Sequence, residues 1–163
     1  MSFGFNADEI LQMAERIERN GTRFYRAAVE ATEDETFKSR FAELAEMEVS
    51  HEQTFAALRR ELSSGEKEQT AFDPADETQA YLAAMADSEI FDTSKDPAEL
   101  VSQAKSPAEV LRVAIGMEKE SILLYLGLRD LVSERLGRDR VEEIIDEERS
   151  HVALLCGQLK ALE

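Results

Sequence analysis

The chain has 163 residues, with 35 acidic against 19 basic side chains and a net charge of −16, a length that predicts one domain, residues 1–163, around one continuous core. That charge opposes a phosphate backbone, so nucleic acid is not an expected partner. Sparse glycine and proline, 7 and 3, predict long helices; no apolar run approaches the ~20 residues of a membrane span, so no membrane is expected.

The first helix opens on a capping box, Asn6 with Glu9 three positions on, where each side chain satisfies a backbone N–H of the other. Its inward stripe is Leu11, Ala14, Glu18, Gly21, Tyr25 and Ala28, and Arg16, Arg19, Arg23 and Arg26 fall opposite. Thr32 with Glu35 predicts the next cap. The second helix then carries Phe37, Phe41, Leu44, Glu48, His51, Phe55, Leu58 and Leu62 inward in alternating steps of 4 and 3, which places a carboxylate and an imidazole among core positions. These two helices make a hairpin over 7–63.

Residues 65–105 form a long connection with further helix starts at Asp73-Pro74 and Asp96-Pro97, because proline is preorganised for the first helical turn. A second hairpin, 107–162, begins with Ser106 as cap, Pro107 in the first turn and Glu109 closing a box. Its first helix directs Leu111, Ala114, Glu118, Ser121, Tyr125, Leu128 and Val132 inward. Gly137 and Asp139 break and recap the chain, and the last helix presents Val141, Ile144, Glu148, His151, Leu155 and Leu162. Two short hairpin loops around one long return predict an all-α, ferritin-like four-helix bundle with the crossover between its second and third helices.

A shift of 100 residues superposes Glu18 on Glu118, Tyr25 on Tyr125, Glu48 on Glu148 and His51 on His151 without a gap. Those are both histidines of the protein. Each hairpin thus supplies one Glu and one Glu-x-x-His, together a complete set for a two-metal site inside a bundle. Four carboxylates in a core with no Lys or Arg on the inner stripes lose hydration without a counter-charge, and two divalent cations would neutralise them. Glu48 and Glu148 are the expected bridges, with Glu18, His51, Glu118 and His151 terminal. The oxygen and nitrogen set suits Fe or Mn better than Ca or Mg and lacks the thiolates of structural Zn; two Fe ions are expected, with Mn or Zn as substitutes. Glu15, Glu52 and Glu120 have no carboxylate partner under the shift and are expected at the surface. Tyr25 and Tyr125, whose buried phenols need acceptors, are expected either to orient ligand carboxylates or to serve as ordinary core packing. Gly21 and Ser121 leave room beside the metals, as an opening for a small oxidant or as tight helix packing.

The runs Glu18-Arg-Asn-Gly-Thr-Arg-Phe-Tyr25, Leu44-Ala-Glu-Met-Glu48-Val-Ser-His51, Glu118-Lys-Glu-Ser-Ile-Leu-Leu-Tyr125 and Glu147-Glu148-Arg-Ser-His151 resemble the rubrerythrin branch of the ferritin-like superfamily across all four bundle helices. The resemblance implies a non-haem diiron centre, two Fe ions per chain, that reduces hydrogen peroxide and sometimes dioxygen at the expense of a redox partner. Rubrerythrins proper carry a rubredoxin domain with paired Cys-x-x-Cys; here Cys156 is alone, which implies an external electron donor. Many also carry an extra carboxylate where this chain has Ser121. Ferritin-type iron oxidation and storage is the alternative activity, and a metal-free helical interaction module is an alternative of another class. A homo-oligomer, a dimer, is expected. With no signal-peptide pattern at the N-terminus, so is a cytoplasmic location.

Overall fold

In the computed structural model, which describes residues 6–64 and 96–162, Asn6 caps α1 (Ala7–Ala31) as its spacing predicts. The side chain of Asn6 accepts from the Glu9 N–H at 2.9 Å while the Glu9 carboxylate accepts from the Asn6 N–H at 3.0 Å. The cap of α2 (Glu35–Glu61) is Asp34 rather than Thr32, because the Asp34 carboxylate itself reaches the Thr36 and Phe37 N–H groups. Thr32 instead closes α1.

Asp96 caps a short α3 (Pro97–Gln103), and Ser106 caps α4 (Pro107–Leu131). The box at Ser106 closes differently from the expectation: the Glu109 carboxylate reaches one residue further back, to the Lys105 N–H at 2.6 Å. A 3-10 turn, Glu134–Leu136, ends on Gly137 at φ 99°, a left-handed conformation that favours glycine. The Gly137 carbonyl accepts from Arg140 and Val141, so α5 (Arg138–Leu162) starts there, and Asp139 lies inside its first turn instead of capping it. The start expected at Asp73-Pro74 lies outside the described residues.

α1 packs along α2, and α4 along α5; α1 also packs on α4, and α2 on α5. Contacts pair residue 25 with 118 and 18 with 125, and 51 with 147 and 47 with 151. Rising numbers on one helix meet falling numbers on the other, so α1 is antiparallel to α4 and α2 to α5. α2 and α4 therefore run the same way, so the end of α2 and the start of α4 lie at opposite ends of the bundle, roughly 37 Å apart for 25 helical residues. This is the ferritin-like bundle with one long crossover.

Among the described residues the apolar core is in two pieces. Ile10, Leu11, Phe55, Leu58, Leu124 and Leu128 lead the cluster towards one end; Phe24, Phe41, Leu44, Leu111, Ala114 and Leu155 lead the other. Between them lie the inward carboxylates and imidazoles. The stripes are buried as predicted, with two departures at helix ends: Phe37 is half-buried and Leu162, in the last turn of α5, is 45% exposed.

Candidate metal centre

Each of the four bundle helices delivers its polar side chains to the same level. Glu18 comes from α1, Glu48 and His51 from α2, Glu118 from α4, Glu148 and His151 from α5, and all are at most 4% exposed. Glu and His three apart on a helix project from one face, which is how α2 and α5 each contribute two groups. The six form two overlapping clusters, Glu18, Glu48, His51 and Glu148 in one and Glu48, Glu118, Glu148 and His151 in the other, with the candidate ligand atoms of each within 4.8 Å of one another. Glu48 and Glu148 are the shared members. Glu15 and Glu52 lie outside both and face Arg59 and Arg19 instead; Glu120 is half-buried and also outside them.

The inner nitrogens converge. His51 Nδ1 lies 2.9 Å from Glu148 Oε1 and 3.4 Å from Glu18 Oε2; His151 Nδ1 lies 2.9 Å from Glu148 Oε2 and 3.7 Å from Glu118 Oε1. The rings themselves stack at 6.0 Å across the centre. Glu18 Oε2, Glu48 Oε1, His51 Nδ1 and Glu148 Oε1 are buried without a properly aligned hydrogen bond. Native cores rarely leave such atoms unsatisfied, and a donor set of carboxylate oxygens and imidazole nitrogens is what a pair of divalent cations would satisfy.

Protons occupy the same role electrostatically. Burial, then the Glu18, Glu118 and Glu148 charges, push Glu48 well above the usual carboxylate range. Burial and the Glu148 charge push Glu118 up to about 8. Burial alone would lower both imidazoles, but the carboxylates close beside them, Glu148 and Glu18 at His51 and Glu118 and Glu148 at His151, overcome it, raising His51 to about 11 and His151 to about 9. Glu148 goes the other way, because hydrogen bonds from Glu118 and both histidines outweigh its burial.

Tyr25 and Tyr125 each reach a candidate-ligand carboxylate on the opposite hairpin. Tyr25 donates to Glu118 and Tyr125 to Glu18. Tyr125 is packed against Phe55 at 4.8 Å and Tyr25 against Phe41 at 6.1 Å, so the phenols are aimed by the two apolar clusters. Both are fully buried among carboxylates, which raises them well above the usual tyrosine value.

A small opening of about 20 Å³ reaches the centre between α1 and α4, lined by Ile17, Asn20, Gly21, Tyr25, Glu48, Met117, Glu118 and Ser121. That is room for roughly one water-sized molecule. Gly21 lets the Glu48 carboxylate approach α1 closely: a Cβ there would stand 2.9 Å from Glu48 Cδ, so the Glu48 side chain would have to shift. Ser121 turns its hydroxyl to the Met117 carbonyl at 3.0 Å. Gly21 and Ser121, paired by the 100-residue shift, thus flank one and the same opening.

Residues 9–157, which include all six candidate ligands, match the family model described as Rubrerythrin. The chain belongs to the rubrerythrin family. A solved structure from Thermotoga maritima, put forward as a ferritin-like diiron-carboxylate protein, is similar over 98% of both chains at 28% identity, with a TM-score of 0.80. No curated protein matches the chain. Family, fold and the buried Glu/His cluster together fit a diiron site. Among the described residues, no helix is long and apolar enough to cross a membrane.

The residue that sequence reasoning missed is Glu147. It is half exposed, yet its Oε2 holds the outer nitrogen of His51 at 2.6 Å from across the α2–α5 interface. A signal was available, since position 147 is next to a proposed bridge and its shifted counterpart is Met47.

Proposed function

We propose that this rubrerythrin-family chain is a diiron oxidoreductase that reduces hydrogen peroxide to water with electrons from a separate redox partner. The observation that supports this most is the cluster itself: duplicated, buried, short of hydrogen-bond partners, and reached by an opening of about 20 Å³. In this reading Glu18, Glu48, His51 and Glu148 would hold one ion and Glu48, Glu118, Glu148 and His151 the other, with iron proposed as the occupant, and Mn or Zn as substitutes, because the family and the similar Thermotoga maritima structure point to a diiron site. The diiron-carboxylate proposal made for the Thermotoga maritima protein is consistent with it.

When bound, an iron pair supplies the two electrons that, with two protons, convert one hydrogen peroxide into two waters. The chain's residues set the terms. Tyr25 and Tyr125 fix the direction of the Glu118 and Glu18 carboxylates, so the ligand set is held in place before reaction. Gly21 lets Glu48 stand under the opening, while Ile17 and Met117 line the entrance with apolar surface. Such a passage selects for a small neutral molecule.

Anaerobic stopped-flow absorbance on the Fe(II) protein tests the reaction. Peroxide should oxidise the site in one two-electron step, faster than dioxygen, with turnover only when a donor is added. Oxidation by dioxygen at an equal or greater rate, with iron accumulating as a mineral core, would replace this reading with iron storage.

A further inference from the structure

The inner faces of the two imidazoles are alike, and their outer faces are not. His51 Nε2 lies 2.6 Å from Glu147 Oε2, whereas His151 Nε2 lies 3.3 Å from Met47 Sδ. Positions 47 and 147 are related by the same 100-residue shift that superposes the ligands. In both cases the contact crosses between α2 and α5, so the two residues hold equivalent places in the bundle. The repeat is kept in all six candidate ligands and broken in the group behind each histidine.

A carboxylate accepting from an outer imidazole N–H fixes the ring and makes the inner nitrogen a better donor to a metal. A thioether is a weak acceptor that fixes the ring less firmly. Met47 is itself half-buried, so its sulfur is held at the interface and the weaker partner is built into the packing. Among the described residues the halves agree in the spacing of Glu and His and in the tyrosine bond that each hairpin receives from the other, whereas the group against the outer nitrogen of each imidazole differs.

We infer that the two metal positions are inequivalent, the one built on Glu18 and His51 binding first and more tightly, with Glu147 as the positioning residue responsible. The inference rests on the two-metal reading above. Loss of the Glu147 contact should cost about tenfold in affinity at that position, the lower end for an outer partner of a metal-bound histidine because the Glu147 side chain is 51% exposed.

Stepwise anaerobic addition of Co(II) to the apo protein, followed by its visible absorbance, tests this. The unmodified chain should bind two ions in separable steps, with the tighter step abolished by His51→Ala and kept in His151→Ala. Glu147→Met should bring the steps together, and the exchange Met47→Glu with Glu147→Met should reverse which histidine supports the first. A merely structural role for Glu147 would not reverse that order. If the unmodified chain binds two ions but Glu147→Met leaves the tight step unchanged, or if the exchanged protein keeps the original order, the inference is overturned while the two-metal reading stands. Binding of fewer than two ions by the unmodified chain would overturn the two-metal reading, and the inference with it.

Discussion

The phenol of Tyr125, on α4, donates a hydrogen bond to the Glu18 carboxylate on α1 in the other hairpin. Tyr25 returns the same bond to Glu118. The hairpins are therefore tied through the candidate ligands as well as through apolar packing. A change at either tyrosine is felt at the opposite half of the site.

Replacing Tyr125 by Phe keeps the ring against Phe55 but removes the donor to a carboxylate that is fully buried. An orphaned buried acceptor costs about 1–3 kcal/mol. Urea unfolding of the apo protein should show a loss of that order for Tyr125→Phe and for Tyr25→Phe. An unchanged midpoint in both would mean that the bonds do not contribute in solution.

Gly21→Ala should displace Glu48, since the added Cβ would stand 2.9 Å from Glu48 Cδ and the carboxylate, 4% exposed, has little room to retreat. Overpacking of this kind costs about 1–3 kcal/mol. A drop in metal content together with a lower melting temperature is expected. Full metal content in Gly21→Ala would show that Glu48 is free to take another path and that the close approach is incidental.

Glu48 and Glu118 have folded pKa values above the ordinary 4.5, and His51 and His151 above 6.5. For each, the stabilising contribution is complete below the unfolded value and is lost as pH rises through the folded one. For Glu118 that window is 4.5 to about 8, for His151 6.5 to about 9 and for His51 6.5 to about 11. Glu148, held lower than 4.5, contributes above that value and loses it on further acidification. The apo protein should therefore be most stable near mildly acidic pH and weaken towards alkaline pH. The metal-loaded form should weaken instead on acidification, as protons displace the ions. Melting curves of both forms at about pH 5, 7 and 9 measure this, and an apo melting temperature that rises across the series would contradict the proton-held cluster.

The ligand stripes are legible in the sequence because two independent regularities coincide at Glu18, Glu48, His51, Glu118, Glu148 and His151: helical spacing and the 100-residue repeat. Cap chemistry is less legible. Thr32-Glu-Asp-Glu35 offers overlapping caps, and the one taken is set by which side-chain oxygen points at the first free N–H groups. Asp139 and Glu109 differ for the same reason, with Gly137 able to turn the chain alone and the long Glu109 side chain reaching past its nearest donor. Contacts between helices are the hardest to read. Periodicity places Tyr25 and Tyr125 on inward stripes, but the helix each one meets depends on the direction of the crossover. Leu162 keeps the stripe's spacing yet stays exposed, since a stripe is buried only where a neighbour reaches it.

The central claim is a two-metal centre on six named side chains, and metal stoichiometry tests it most directly. After anaerobic loading with Fe(II) and removal of excess, the unmodified chain should retain two ions. Glu48→Ala with Glu148→Ala should retain neither position intact, because both residues belong to both ligand groups. Two ions per chain in the unmodified protein and fewer than one in the double variant is the predicted result; full two-ion occupancy in the double variant would contradict the account.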